Sequence, residues 1–288
     1  MKISEAFDRY KSNYLLAKHY SKRILEMHDY AKNDIISKFG DRKIKNFTLD
    51  DIGAWSKSLE IRALPDGTKK ERARNTVRAY LNSLRAVFKY AYLTGEKCVD
   101  YQLIPVPKRE EVEIGFLYED EVQSMIDNAF SLRNKFVISL LYSSGIRLSE
   151  MLSLDRDSIK NRSFTVIGKG NKRRLCFIDE RTENLMREYL QSRDDNSDAL
   201  IVSNIYKDRM TPTNIQLLIR NSAKRAGIKR KVTPHMLRHS FATNFARNNG
   251  NMRYLCRLLG HSDINTTMIY THVVDNDLQK QYDLYHSV

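Results

Sequence analysis

Three cysteines in 288 residues, Cys98, Cys176 and Cys256, lie far apart and without metal-type spacing. So few and so scattered a set excludes a disulfide framework and a cysteine-ligated zinc site, and it fits a reducing cytoplasm. Long apolar runs are missing as well. The longest, around Phe136–Tyr142, falls far short of the ~20 residues that a bilayer-spanning helix needs, so no membrane is expected as a partner. Residues Met1–Tyr10 alternate charged and apolar side chains in place of a signal-peptide core. Internal repeats and low-complexity tracts are absent. No P-loop is present either: Lys169 stands between two glycines, but the spacing is wrong and no Ser or Thr follows it. The sharpest shortage is of acid. From Arg209 to Ser262, 54 residues carry eleven Lys or Arg and no Asp or Glu. That stretch offers no oxygen cluster for a Mg²⁺ nuclease core.

What is there is positive charge on a chain able to fold. Lys and Arg number 49 against 35 Asp and Glu, a net +14, with 41% apolar residues. The length suggests two domains, each able to bury a core. The charge is uneven: residues 1–110 carry +9 and residues 111–288 carry +5. Besides the acid-free stretch, Lys169–Arg174 holds four cations in six residues, and Lys69–Lys89 holds seven cations and one carboxylate. One such run is an ordinary solvated face; three together point to a surface that binds a polyanion, most simply nucleic acid.

The fold class expected is mainly α. Helical spacing of apolar residues in Phe7–Leu16, Ile24–Ile36 and Val77–Leu93, punctuated by Gly40, Gly53, Pro65–Gly67 and Gly95, predicts an all-α helical bundle over residues 1–104. In the last of these helices Val77, Leu81, Leu84 and Phe88 form one face. Arg74, Arg78, Arg85 and Lys89 populate the others, a cationic side suited to a phosphate backbone. Pro105-Val106-Pro107 and the charged residues after it cannot continue a helix, and predict a linker over 105–113. Residues 114–288 are expected to form an α+β domain. Tyr118–Phe130 and Arg133–Ser144 are helical, the second stopped by Gly145. Ser163–Ile167 and Arg174–Ile178 flank Gly168-Lys169-Gly170-Asn171 and form a small antiparallel sheet. Helices follow over Glu180–Ser192, Thr213–Ala226, Pro234–Arg247 and Met252–Leu259, with a short amphipathic helix over Asn276–Tyr285 at the end.

Chemistry concentrates in a few segments. Thr233-Pro234 starts a helix on which His235 and Arg238, three apart, share a face. A helix N-terminus already favours anions, and these two side chains make it a phosphate site with a proton donor. On this segment alone His235 reads equally well as a helix cap. His235 and His239 also have the spacing of a metal pair, but Met236 stands where a zinc-protease helix needs Glu, so no metal is expected. Arg147 follows the helix-ending Gly145, and Glu150 lies three residues on. Lys169 sits at the hairpin tip beside Lys172 and Arg173. Leu258-Leu259-Gly260-His261 precedes Tyr270 by nine residues from its histidine.

Arg147, Lys169, His235, Arg238, His261 and Tyr270, in this order and these surroundings, resemble the active-site set of the tyrosine recombinases, the phage-integrase family, and most of all its compact Xer-type members. The matching pieces are Ser144–Met151, Gly168–Arg174, His235–Thr243, Leu258–His261 and Thr267–Val273. More weakly, Thr76–Tyr90 resembles the last long helix of the family's core-binding domain, which would make residues 1–104 a DNA clamp and 114–288 the catalytic domain. The resemblance implies a Tyr270 nucleophile, Arg147 and Arg238 on the non-bridging phosphate oxygens, and His235 as the tyrosine's proton acceptor. It makes Lys169 the proton donor to the departing oxygen, His261 a hydrogen-bond partner of the phosphate, and Glu150 a supporting residue that orients the site. Lys172 and Arg173, with Arg74, Arg78, Arg85 and Lys89, are the expected contacts to duplex DNA.

No cofactor is expected. The partners implied are duplex DNA with a specific recombination site, a homo-tetramer on two duplexes, and a further recombinase or accessory protein. The tail Asp277–Tyr285 is expected to dock on a neighbouring protomer or to pack on its own domain. A type IB topoisomerase shares the Tyr, Arg, Lys and His chemistry and is the competing enzyme reading. A DNA-binding protein without catalysis is a third, and the presence of all six groups argues against it.

Overall fold

In a computed structural model of the chain, residues 1–63, 66–108, 115–168 and 171–260 are described. Contacts between Cα atoms divide the chain into two compact units, Met1–Val112 and Glu113–Val288. Among the described residues no helix is long and apolar enough to cross a membrane.

The first unit is built on four α-helices: α1 (Ile3–Tyr10), α2 (Lys22–Phe39), α3 (Leu49–Leu59) and α4 (Arg74–Leu93). The helix anticipated over Phe7–Leu16 is α-helical only to Tyr10 and widens into a π turn over Lys11–Leu16, the form that such insertions take inside helices. The α3 helix is a difference from the sequence expectation, in which Gly53 punctuates the chain. Its start is specified by a reciprocal cap: the Asp51 backbone N–H donates to Thr48 Oγ1 (3.2 Å) and the Thr48 N–H donates to the Asp51 carboxylate (2.9 Å). Gly53 then sits inside the helix, where a side chain would meet open space. It costs roughly 1 kcal/mol of helix propensity and does not stop the helix. A hairpin of two three-residue strands, β1 (Ile61–Ala63) and β2 (Lys69–Glu71), follows α3 and is likewise an addition to the expected bundle. The core gathers Phe7, Ile35, Trp55, Leu81, Leu84 and Phe88, all fully buried. Trp55 also donates from Nε1 to Asp34 at 2.8 Å, which joins α3 to α2.

The second unit holds α5 (Glu119–Asp127), α6 (Leu132–Ser144), α7 (Leu148–Leu152), β3 (Ser163–Ile167), β4 (Arg173–Phe177), α8 (Glu180–Gln191), α9 (Pro212–Arg225), α10 (Pro234–Arg247) and α11 (Met252–Leu259). The strands β3 and β4 form one antiparallel pair in which Phe164 faces Cys176 and Val166 faces Arg174. Phe136, Val137, Ile138, Leu140 and Leu141 are buried all round α6, which is the central helix of this unit. Around it pack α5, α8 and α10. The α10 helix is locked by polar groups as well as apolar ones. The Leu117 N–H donates to Ser240 Oγ at 2.8 Å, and Asn244 Nδ2 donates to the Tyr142 hydroxyl at 2.9 Å. The tail helix expected over Asn276–Tyr285 lies outside the described residues.

Three helix ends of this unit meet, and each is fixed by its local sequence. Gly145 ends α6 in the left-handed region, φ +60°, and a Cβ there would stand 2.4 Å from the Phe241 ring. The chain therefore turns tightly into α7. At the start of α10, Thr233 Oγ1 accepts from the Met236 N–H at 3.2 Å, and Pro234 occupies the first turn. Gly260 ends α11, also left-handed at φ +65°.

Candidate active site

Near these ends lies one buried carboxylate, which Arg174 links to the end of α11. Glu150, on α7, is 5% exposed, and each of its oxygens is used twice. Its Oε2 accepts from the Arg147 backbone N–H at 2.7 Å and from Arg174 Nη2 at 2.6 Å. Its Oε1 accepts from Arg147 Nη1 at 2.9 Å and from Arg174 Nη1 at 2.7 Å. Burial pushes the Glu150 carboxyl up; the Arg174 fork and the Arg147 N–H outweigh it and hold the group down at about 2. One negative charge is thus shared by two guanidinium groups, which leaves a net positive cluster.

Arg147, the residue before α7, turns outward from this cluster, and its side chain keeps 37% of its surface. Arg238, on α10, is 3% exposed. Its guanidinium donates from Nη1 to the Gly145 carbonyl and from Nη2 to the Leu259 carbonyl, both at 2.6 Å. The carbonyls that end α6 and α11 thereby set its plane. His235, exposed near the start of α10, completes the group. Arg147, His235 and Arg238 all line a single cleft of about 670 Å³. The His235 imidazole has an open face, but the cleft wall takes water from its other side; this desolvation first, and then the charges of Arg238 and Arg147, push it below its ordinary value of 6.5. The shift favours the neutral imidazole, the form able to accept a proton. The arrangement offers two fixed cations and a neutral base to one anion.

The other sequence-predicted residues divide into two groups. Lys169, His261 and Tyr270 lie outside the described residues, but Gly168, which precedes Lys169, and Gly260, which precedes His261, lie beside the cluster. A Cβ on Gly168 would stand 3.4 Å from Arg174 Nη1 and 3.8 Å from Arg147 Nη1, and one on Gly260 would stand 2.8 Å from Arg174 Cδ. Among the expected DNA contacts, Arg74, Lys89, Lys172 and Arg173 are exposed. Arg78 and Arg85 are partly buried and donate to the Pro107 and Ile104 carbonyls, so they hold the segment after α4 against that helix.

Sequence reasoning passed over Arg174 as one cation in a basic run. Its signal was the period of two: Arg174 and the buried Cys176 fall on the same face of β4, so the arginine points inward. Arg220 and Lys231 also line the cleft. They belong to the acid-free stretch, whose lack of carboxylates keeps the cleft wall free of like-charge repulsion toward an anion.

Residues 115–277 match the phage integrase family model. The chain belongs to the phage integrase family. Its relatives narrow this further. The tyrosine recombinase XerC of Histophilus somni is 32% identical over 250 residues, covering 82% of this chain and 84% of its own length. The tyrosine recombinase XerD of Rickettsia bellii is 30% identical over 287 residues, covering 91% and 89%. A solved structure of XerA recombinase covers 99% of both chains at 28% identity and a TM-score of 0.55. The Tn1549 transposon integrase in complex with transposon right end DNA covers 100% of both at 16% identity and a TM-score of 0.77, a likeness of fold. This family member is a tyrosine recombinase of the Xer type, an enzyme of site-specific recombination that breaks and rejoins DNA.

The carboxylate at the centre generates a prediction with a definite sign. The Glu150 carboxyl is lower in the fold than its ordinary 4.5, so its stabilisation is full above pH 4.5 and is lost as pH falls through about 2. Replacement by the neutral isostere, Glu150→Gln, should cost about 3 kcal/mol at pH 7. The difference between wild type and variant in chemical denaturation should narrow below pH 4.5. A difference independent of pH would contradict the ion-pair account.

Proposed function

We propose that this recombinase cuts one strand of a specific duplex site with the Tyr270 hydroxyl as nucleophile. Its oxygen bonds to the scissile phosphorus and the 5′ oxygen departs, leaving a 3′-phosphotyrosyl link and a free 5′-OH. Attack by a 5′-OH from a second duplex reverses the step on a new partner, and two such exchanges pass through a Holliday junction. The tyrosyl ester keeps the energy of the phosphodiester, so rejoining consumes no nucleotide. The observation that carries this reading is the convergence of Arg147, His235 and Arg238 on one cleft.

Each group has a task that suits its chemistry. Arg147 and Arg238 hold the two non-bridging oxygens and stabilise the extra charge of the pentacoordinate transition state. His235 takes the proton of the Tyr270 hydroxyl, whose ordinary pKa of about 10 otherwise keeps it protonated. Lys169 gives a proton to the departing 5′ oxygen, and His261 hydrogen-bonds the phosphate. Glu150 fixes Arg147. With this many cations around the phosphate, the reaction proceeds without a metal ion. Arg74, Lys89, Lys172 and Arg173 grip the duplex backbone. Strand exchange takes place in the cytoplasm on two duplexes and four protomers, with the tail Asp277–Tyr285 docked on a neighbour and a partner recombinase or accessory protein where the site demands one.

Covalent capture tests the reading. On nicked duplexes selected from a randomised library, the wild type should form a protein–DNA adduct in the presence of EDTA. Tyr270→Phe should bind the same duplexes and form none. An adduct that requires added Mg²⁺, or one that persists in Tyr270→Phe, would overturn the mechanism.

The state of His235 sets the pH profile. Because its imidazole lies below 6.5, single-turnover cleavage should fall on the acid side with a midpoint under that value and should be flat in His through neutral pH. His235→Gln should slow cleavage by about 10²-fold or more and remove that acid limb. A midpoint above 7 in the wild type would exclude His235 as the base.

A further inference from the structure

The recombinase reading uses Arg147 and Glu150 and leaves one buried cation without a task. Arg174 is 8% exposed at its side chain, and all three nitrogens of its guanidinium are engaged. Nη1 and Nη2 form the fork on Glu150, at 2.7 and 2.6 Å, and Nε donates to the Leu258 carbonyl at 2.8 Å. Arg174 thus bonds both Glu150 and the end of α11. Its surroundings are shaped to fit. Gly260 approaches so closely that a Cβ there would overlap Arg174 Cδ.

We propose that Arg174 is a positioning residue for the recombination reaction, balancing the charge of Glu150 and pinning the end of α11 so that Arg147 faces the cleft. The charge argument is direct. Glu150 alone beside Arg147 would cancel that arginine's charge and repel an incoming phosphate. Arg174 supplies the second cation, so Glu150 can orient Arg147 through two hydrogen bonds while the cluster stays positive. The geometric argument concerns what flanks Arg174 in the chain. It lies on β4, the strand paired with β3 that ends just before Gly168, and its Nε bond fixes a carbonyl three residues before His261. The two segments that lead to Lys169 and His261 therefore meet the Arg147 support at one guanidinium. Lysine cannot take this place, because a single ammonium does not span a carboxylate fork and a carbonyl on its far side.

The inference rests on the reading of the chain as a Tyr270 recombinase, and the test separates the two. Full-length wild type, Arg174→Lys and Arg174→Gln are compared on the nicked duplexes captured by the wild type. Three quantities are measured: DNA affinity, thermal unfolding, and the first-order rate of adduct formation at saturating protein. We expect Arg174→Lys to fold and to bind DNA within about twofold of wild type, yet to form the adduct about tenfold or more slowly, the scale of loss for a misplaced catalytic group. Arg174→Gln should be slower still, and added guanidinium ion should not speed the wild type. In the Glu150→Gln background, Arg174→Lys should cost little further rate, because its route to Arg147 is already cut. An unchanged rate in Arg174→Lys, a loss confined to affinity, or full additivity with Glu150→Gln would overturn the positioning role while the recombinase reading stands. A wild type that forms no adduct on any duplex would instead overturn the recombinase reading.

Discussion

A carboxylate placed beside an arginine that lines a cationic cleft is electrostatically awkward, and the second unit is organised around making it favourable. Glu150 is buried, ionised and shared between Arg147 and Arg174. Removing either arginine would leave an under-compensated buried charge, a loss of about 3–5 kcal/mol. With both in place the carboxylate acts as a rigid two-sided bracket. One side turns Arg147 toward the cleft, and the other draws β4 and the end of α11 inward. The acid-free stretch from Arg209 to Ser262 then has a simple reason: the single carboxylate this site tolerates is supplied by α7.

The remaining geometry comes from helix ends. The last carbonyls of a helix lack intrahelical partners, and here those of α6 and α11 are used to orient Arg238 and Arg174. Gly145 and Gly260 make this possible by ending both helices in the left-handed region, where a side chain would collide with Phe241 or with Arg174 itself. The Thr233-Pro234 start of α10 sets the third end and places His235 in the first turn, with Arg238 one turn further in. Backbone carbonyls and one carboxylate thus fix two arginines without consuming their positive charge. The cleft that results is preorganised for an anion, the condition under which electrostatic stabilisation of a transition state is effective.

Much of this was legible in the sequence, for physical reasons that differ by element. The helices α4, α6, α8, α9, α10 and α11 carried strong signals: apolar spacing, Thr-Pro starts at two of them, and glycine stops at Gly145, Gly227 and Gly260. The β3–β4 hairpin followed from β-rich runs around a Gly-rich turn. The α3 helix was not legible because Gly53 carries a local cost that the Thr48–Asp51 cap and the burial of Trp55 override, and only the fold shows that balance. In the site, Arg147, His235 and Arg238 were named from their order and surroundings, and the structure brings them together in one cleft. Arg78 and Arg85 carry a structural bond that charge alone does not show. A cation on a helix face is ambiguous in sequence between a ligand contact and a strut, and here both are engaged by backbone carbonyls of their own unit. Arg174 was hidden for the same reason: charge alone does not say whether an arginine faces solvent or a buried carboxylate.

The central claim is that these cations serve one phosphate attacked by one tyrosine. It is tested most directly by identifying the amino acid left on DNA. The covalent complex is digested with protease and nuclease, and the peptide that retains a nucleotide is sequenced by mass spectrometry. The account predicts a single modified peptide, carrying Tyr270 esterified to a 3′ phosphate. A nucleotide on Tyr254, the exposed tyrosine of α11, on a serine, or linked through a 5′ phosphate would contradict it.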